Sequence, residues 1–146
     1  MTGKEFLQRL SDSSRSLESK IEQLKKLQAL AHKITTVISG TPSINVQSQS
    51  RIENAVVNVL KESDKVENYV KDFFALRQTA VACIDKITRK DERIILEYRY
   101  LTNKSWKEIA NIMNLSLRYT YTLHGKALMS FEKIFVLEDK KAQIAP

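Results

Sequence analysis

Residues 50–87 read SRIENAVVNVLKESDKVENYVKDFFALRQTAVACIDKI. Ile52, Val56, Val59, Ser63, Val66, Val70, Phe73, Arg77, Ala80, Ile84 and Ile87 follow strict 4-3 spacing, and nine of these eleven positions are apolar. A repeat held over about five heptads is the mark of a long helix with one apolar seam. The segment before it carries a thinner seam of Leu7, Leu10, Ser14, Leu17, Ile21, Leu24, Gln28, Ala31, Thr35 and Ile38, seven of ten apolar. At about 1.5 Å per residue, helices over 4–38 and 50–87 would run roughly 52 and 57 Å. The one internal break lies between them, at Ser39-Gly40-Thr41-Pro42-Ser43 and a Ser/Gln stretch to Ser50. Two matched helices joined at one tip predict a long antiparallel helical hairpin of coiled-coil type.

Hydroxyl-x-x-carboxylate pairs mark helix starts, because each side chain can satisfy a free N–H of the first turn. Thr2/Glu5, Ser50/Glu53, Thr88/Asp91 and Ser105/Glu108 fall where the periodicity starts a helix; Ser19/Glu22 falls inside one. The Ser-rich patch 11–16 could interrupt the first helix, but the seam keeps register across it. Leu27, Leu30, Ile34 and Val37 are expected to form a second apolar stripe on the first helix, and Leu60, Phe74 and Val81 lie off the seam of the second. Stripes of this length call for a cover: either the C-terminal part folds back over some of them or, the expected case, a second copy closes a four-helix bundle.

The rest of the composition works mainly by exclusion. The chain has 146 residues, three glycines and two prolines. Gly3, Gly40 and Gly125 are too far apart for a dinucleotide fingerprint or a P-loop. Turn residues are too few for a β-sandwich or barrel, so the fold is all-α. Cys83 is the sole cysteine, and with two histidines it builds no standard zinc site. No metal or cofactor is expected. No nucleophile–base or paired-carboxylate constellation is visible either, so an enzyme is not expected. No apolar run resembles a signal peptide or a membrane span, and a cytoplasmic location is expected. The net charge of +7 makes nucleic acid the first anionic partner to consider, although the charge is spread along the whole chain.

From Asp91 the period shortens. Asp91–Leu101 forms one helix with Ile94, Ile95 and Tyr98 inward. Thr102-Asn103-Lys104 turns, and Ser105 caps Trp106–Met113, with Ile109, Ala110 and Met113 inward. Asn114-Leu115-Ser116 is a three-residue turn in which Asn tolerates the left-handed conformation. Ser116 caps a helix from Leu117 that turns Thr120, Leu123, Ala127 and Leu128 inward and Arg118, Tyr119, Tyr121, Thr122 and Lys126 outward. This is a small C-terminal helix-turn-helix module, whose second helix would lie in a DNA major groove. No acidic residue occurs between Glu108 and Glu132. The base-reading candidates are Leu117, Arg118, Tyr119, Tyr121 and Thr122, with Arg118 placed for a bidentate pair with guanine. The phosphate-binding candidates are Lys104, Ser105, Lys107, Ser116 and Lys126, the first three at a helix N-terminus. Trp106 reads as a packing anchor, His124 as structural, Cys83 as an inert buried thiol, and Met113 and Met129 as gap fillers. The domains expected are 1–88 (hairpin, oligomerisation), 89–136 (DNA-binding module) and 137–146 (tail).

Arg93–Tyr100 (RIILEYRY), Ser105–Ala110 (SWKEIA) and Leu115–Leu128 (LSLRYTYTLHGKAL) resemble sigma-70 region 4. They resemble more the ArpU-like and RinA-like late-gene regulators of Gram-positive phages and prophages, in which a helical hairpin often precedes such a module. Asn114 stands where that pattern usually has Gly, and Thr120 where it has a larger aliphatic. The resemblance implies a transcriptional regulator that binds double-stranded promoter DNA, with RNA polymerase as a further candidate partner; the expected pairing of hairpins would make it a homodimer. Three alternatives stay open: a small terminase subunit, a sigma-like polymerase-binding factor, and a coiled-coil adaptor without DNA binding.

Overall fold

The computed structural model describes residues 1–40 and 46–144. These form helices and turns, with no strand among the described residues. Helix α1 spans Gly3–Ser39 and α2 spans Val46–Asp85. They are followed by α3 (Lys90–Leu96), a π-helical turn (Glu97–Leu101), α4 (Trp106–Met113) and α5 (Leu117–Ile144). No helix among these is long and apolar enough to cross a membrane. The expected tip residues Thr41–Ser43 lie outside the described residues.

The first helix is continuous through its serine patch, and its start is a reciprocal capping box. Glu5 N–H donates to Thr2 Oγ1 at 3.1 Å, and Thr2 N–H donates to Glu5 Oε2 at 2.9 Å. Two other expected caps are displaced. Helix α2 already begins at Val46, so Ser50 lies inside it; Val46-Gln-Ser-Gln holds no breaker and the helix propagates backwards. Helix α3 takes Arg89, not Thr88, as its N-cap and has no side-chain cap. Arg93 Nη1 instead donates to the carbonyls of Ile87 and Thr88, holding the linker before α3.

The contacts divide the chain into two compact units, residues 1–13 with 74–146 and residues 14–73. The division thus falls elsewhere than at 88/89. The start of α1 joins the C-terminal helices because Phe6, Leu7, Leu10 and Ser11 are all buried. Phe6 meets Phe135 at 5.0 Å between ring centroids, and Phe131 stacks on Phe135 at 5.8 Å. Gly3 N–H donates to the Glu132 carboxylate, which places a negative charge at the positive end of α1. Ser11 Oγ donates to Asn103 Oδ1 at 2.9 Å. Ala80, Ile84, Ile95, Leu96, Leu123, Ala127 and Phe131 complete this core, and α5 packs on both α3 and α4. Residues 137–144 continue α5 as helix, and Glu138 pairs with Lys86. Cys83 is buried, and burial, reinforced by Glu138, pushes its thiol pKa up.

The second unit is a pair of helical segments. Lys20 Nζ lies 4.4 Å from the Tyr69 ring, Leu27 and Lys61 line one cleft, and Ile34 and Arg51 line another. Numbers rise on one helix as they fall on the other, so the segments run antiparallel here. Among the described residues of this unit only Leu17 and Ile38 are buried. The seam on α1 follows Ile21, Leu24, Leu27, Ala31 and Ile34, while Gln28 and Thr35 are exposed. Leu27 and Ile34, expected on a second stripe, thus face inward. At 3.6 residues per turn, positions three and four apart straddle the same line, and the apolar member of each pair takes it. On α2 Leu76 likewise displaces Arg77, while at 55 and 56, both apolar, Ala55 takes the line and Val56 is exposed. Leu30 and Val37 stay exposed, at 54% and 62%.

Candidate nucleic-acid interface

Helices α4 and α5 meet through a turn whose geometry follows from three residues. Asn114 adopts φ 55°, ψ 46°, the left-handed C-cap usually given to glycine. Leu115 N–H returns to the Ala110 carbonyl at 2.9 Å. Ser116 Oγ then accepts Tyr119 N–H at 3.1 Å, starting α5. The start of α4 is built the same way, with Ser105 Oγ accepting Glu108 N–H at 3.2 Å. Thr120 is fully buried, and its hydroxyl donates to the Ser116 carbonyl at 2.8 Å, so a polar group replaces an aliphatic without an unpaired donor.

Of the residues expected inward, Ile95, Ile109, Ala110, Thr120, Leu123 and Ala127 are buried, whereas Ile94, Tyr98, Met113 and Leu128 are half-buried, and Leu96 and Tyr100 are buried instead. Phe131 extends the buried line of α5. The five base-reading candidates Leu117, Arg118, Tyr119, Tyr121 and Thr122 are all exposed. They do not share one line. At 100° per residue, Arg118 and Thr122 lie on the outward centre of α5, with Tyr119 and Lys126 on one flank, Tyr121 on the other and Leu117 further round. Lys107 and Lys126 are exposed, whereas Lys104 is half-buried and its carbonyl accepts Arg99 Nη1 at 3.0 Å. Arg118, Lys104, Lys107 and Lys126 have no carboxylate partner among the described residues. Ser105 and Ser116 use their acceptor capacity in capping, which leaves each hydroxyl hydrogen to offer a phosphate.

Behind this surface lies an aromatic cluster. Trp106 stands edge-on to His124 at 4.5 Å and to Tyr121 at 5.3 Å, and Arg99 stacks over its ring at 4.3 Å. Tyr121 is braced on one side by the anchor and is still 49% exposed. His124 Nε2 pairs with Tyr100 Oη at 2.8 Å. Burial, with smaller effects of Arg99 and Lys4, lowers the His124 pKa to about 4, so the ring is neutral at pH 7. The same burial raises the pKa of Tyr100.

The π-helical turn at 97–101 was not readable as such and is marked by Thr102 N–H reaching back to the Glu97 carbonyl. Its wider turn presents Arg99 to Trp106 while Tyr100 stays buried. Met129, read as a gap filler, is instead 66% exposed, and Gly125 is exposed beside it on the outward centre of α5. Their positions, seven and eleven after Arg118, were the available signal. Compared with protein families, curated proteins and solved structures, the sequence finds no match in any of the three.

Proposed function

We propose that the protein is a sequence-specific duplex-DNA-binding transcriptional regulator, an activator of phage or prophage genes of the ArpU-like and RinA-like kind. The observation that carries this is the outward face of α5: it follows a capped three-residue turn from α4, bears Arg118, Thr122, Tyr119, Tyr121 and Lys126, and lies in a stretch free of carboxylates from 109 to 131. In this reading the pair is a helix-turn-helix. Arg118 and Thr122 meet base edges, with Tyr119, Tyr121 and Leu117 beside them. Lys107, Lys126, Lys104 and the capping hydroxyls of Ser105 and Ser116 meet phosphates.

The long helices are the proposed dimerisation element, an antiparallel hairpin whose seam is half-buried and whose Leu30, Val37 and Leu60 are exposed. A second hairpin would complete that core. Two modules then meet two half-sites, which raises a modest single-module affinity.

Selection of bound sites from random duplexes by the full chain tests this. A recurring site with two spaced half-sites is the expected result. Failure to enrich any sequence, with no shift of any duplex at low salt, would refute it. A ring-shaped oligomer in solution would point instead to a terminase-like packaging role. Co-purification with RNA polymerase without DNA selection would point to a sigma-like one.

A further inference from the structure

The three glycines differ in what the fold asks of them. A Cβ on Gly3 would lie 2.6 Å from Glu132 Oε2 and 2.8 Å from Phe131 Cδ1, so a side chain there forces its neighbours to shift. A Cβ on Gly40 would come within 3.4 Å of the Thr36 carbonyl at the end of α1. A Cβ on Gly125 would meet nothing within 4 Å, and its φ is not positive. Gly125 lies inside α5, where glycine costs stability against alanine. Among the described residues nothing offsets that cost.

Its position says what would. Gly125 is two helical turns beyond Arg118 and one beyond Thr122, on the same outward line, with exposed Lys126 next to it. Seven residues advance about 10 Å along the helix, and a major groove is about 12 Å wide. With Arg118 at a base edge, Gly125 therefore reaches the wall of the groove. That wall is the sugar–phosphate chain, and a bare helix backbone can approach it more closely than any side chain allows. Lys126 on the flank supplies a charge for a neighbouring phosphate.

We infer that Gly125 is a contact position for the DNA sugar–phosphate backbone, where the missing side chain lets the helix meet the strand directly. This rests on the DNA-binding reading above. The contact carries no sequence information, so its loss weakens all duplexes alike.

The test compares the full-length wild type with Gly125→Ala and Gly125→Leu. Thermal unfolding is read beside titrations of a selected duplex and an unrelated duplex of equal length. Gly125→Ala should raise Tm by about 2–4 °C. It should also weaken binding about three- to tenfold, by the same factor on both duplexes. Gly125→Leu should weaken both further. A higher Tm with unchanged affinity for both duplexes would overturn the inference, as would a lower Tm with unchanged affinity. A loss confined to the selected duplex would place Gly125 at a base edge and overturn the backbone contact. Altered oligomeric state with affinity intact would assign the open position to a protein partner and overturn it too. The wild-type titration is read first: wild type binding neither duplex would overturn the DNA reading itself, whereas a wild type that binds makes any loss in the substituted proteins specific to Gly125.

Discussion

Acidification should weaken this fold through one imidazole. His124 is held by Tyr100 and Trp106, and its pKa falls from 6.5 to about 4, mainly through burial. The unfolded chain takes up this proton near pH 6.5. Between the two values the unfolded state binds more protons than the folded state. The stabilisation is therefore fully present above pH 6.5 and is lost as pH falls towards 4. At about 1.4 kcal/mol per pH unit, the interval sets a ceiling of about 3.4 kcal/mol. The ring is partly open to solvent, and screening brings the expected loss to about 1–2 kcal/mol. Trp106 is the only tryptophan and touches the ring, so its fluorescence follows the region directly in urea unfolding, with far-UV circular dichroism as the second probe. Wild type and His124→Gln are compared at pH 7.5 and 4.5. Carboxylate titration acts on both proteins, and the wild type should lose more stability than His124→Gln, by about 1 kcal/mol or more. Equal losses in the two would refute the assignment of the pH dependence to His124.

Other substitutions probe separate parts of the molecule. Gly3→Ala should cost about 1–3 kcal/mol in denaturant melts, because the new methyl meets Phe131 and Glu132 in a packed core. Asn114→Ala should cost about 1 kcal/mol and Asn114→Gly should be neutral or slightly stabilising, since only the alanine lacks a ready left-handed conformation. Arg118→Ala should cost about 1–3 kcal/mol on the selected site and relax one base position, with little effect on random duplex. Lys126→Ala should instead weaken every duplex and reduce the slope of log affinity against log salt by about one.

The helices were legible wherever a period or a cap declared them. Ser105 starts α4, and Asn114 and Ser116 set the α4–α5 turn, through side-chain and backbone chemistry that one sequence displays. The phase of the α1 seam is misplaced by strict 4-3 spacing: Leu27 and Gln28, or Ile34 and Thr35, are one residue apart, and that spacing selects the polar member of each pair. The start of α2 was misplaced because a hydroxyl–carboxylate pair at Ser50 and Glu53 resembles a cap equally well inside a helix. The π-helical turn has no sequence signature, since it depends on where Tyr100 and Arg99 find their partners. The role of residues 1–13 was hidden for another reason. Leu7 and Leu10 keep the same spacing as the seam that follows, yet they are fully buried where the later seam is half-open. Periodicity reports a face and not what covers it. Of the interface, the exposure of Arg118, Tyr119, Thr122 and Lys126 was readable from helical phase. The bracing of Tyr121 by Trp106 and the open space at Gly125 were not.

The clasp between Gly3 and Glu132 joins residues 129 positions apart. On a ribosome adding about 5–20 residues per second, the first turn of α1 would wait roughly 6–26 s for its partner to be made. Through that interval Phe6 lacks the Phe135 ring it packs on, while α2 to α4 emerge behind it. The completion of this unit is therefore a late event that waits for α5. A chaperone that shields short apolar helices would find its natural client window there, before the clasp forms.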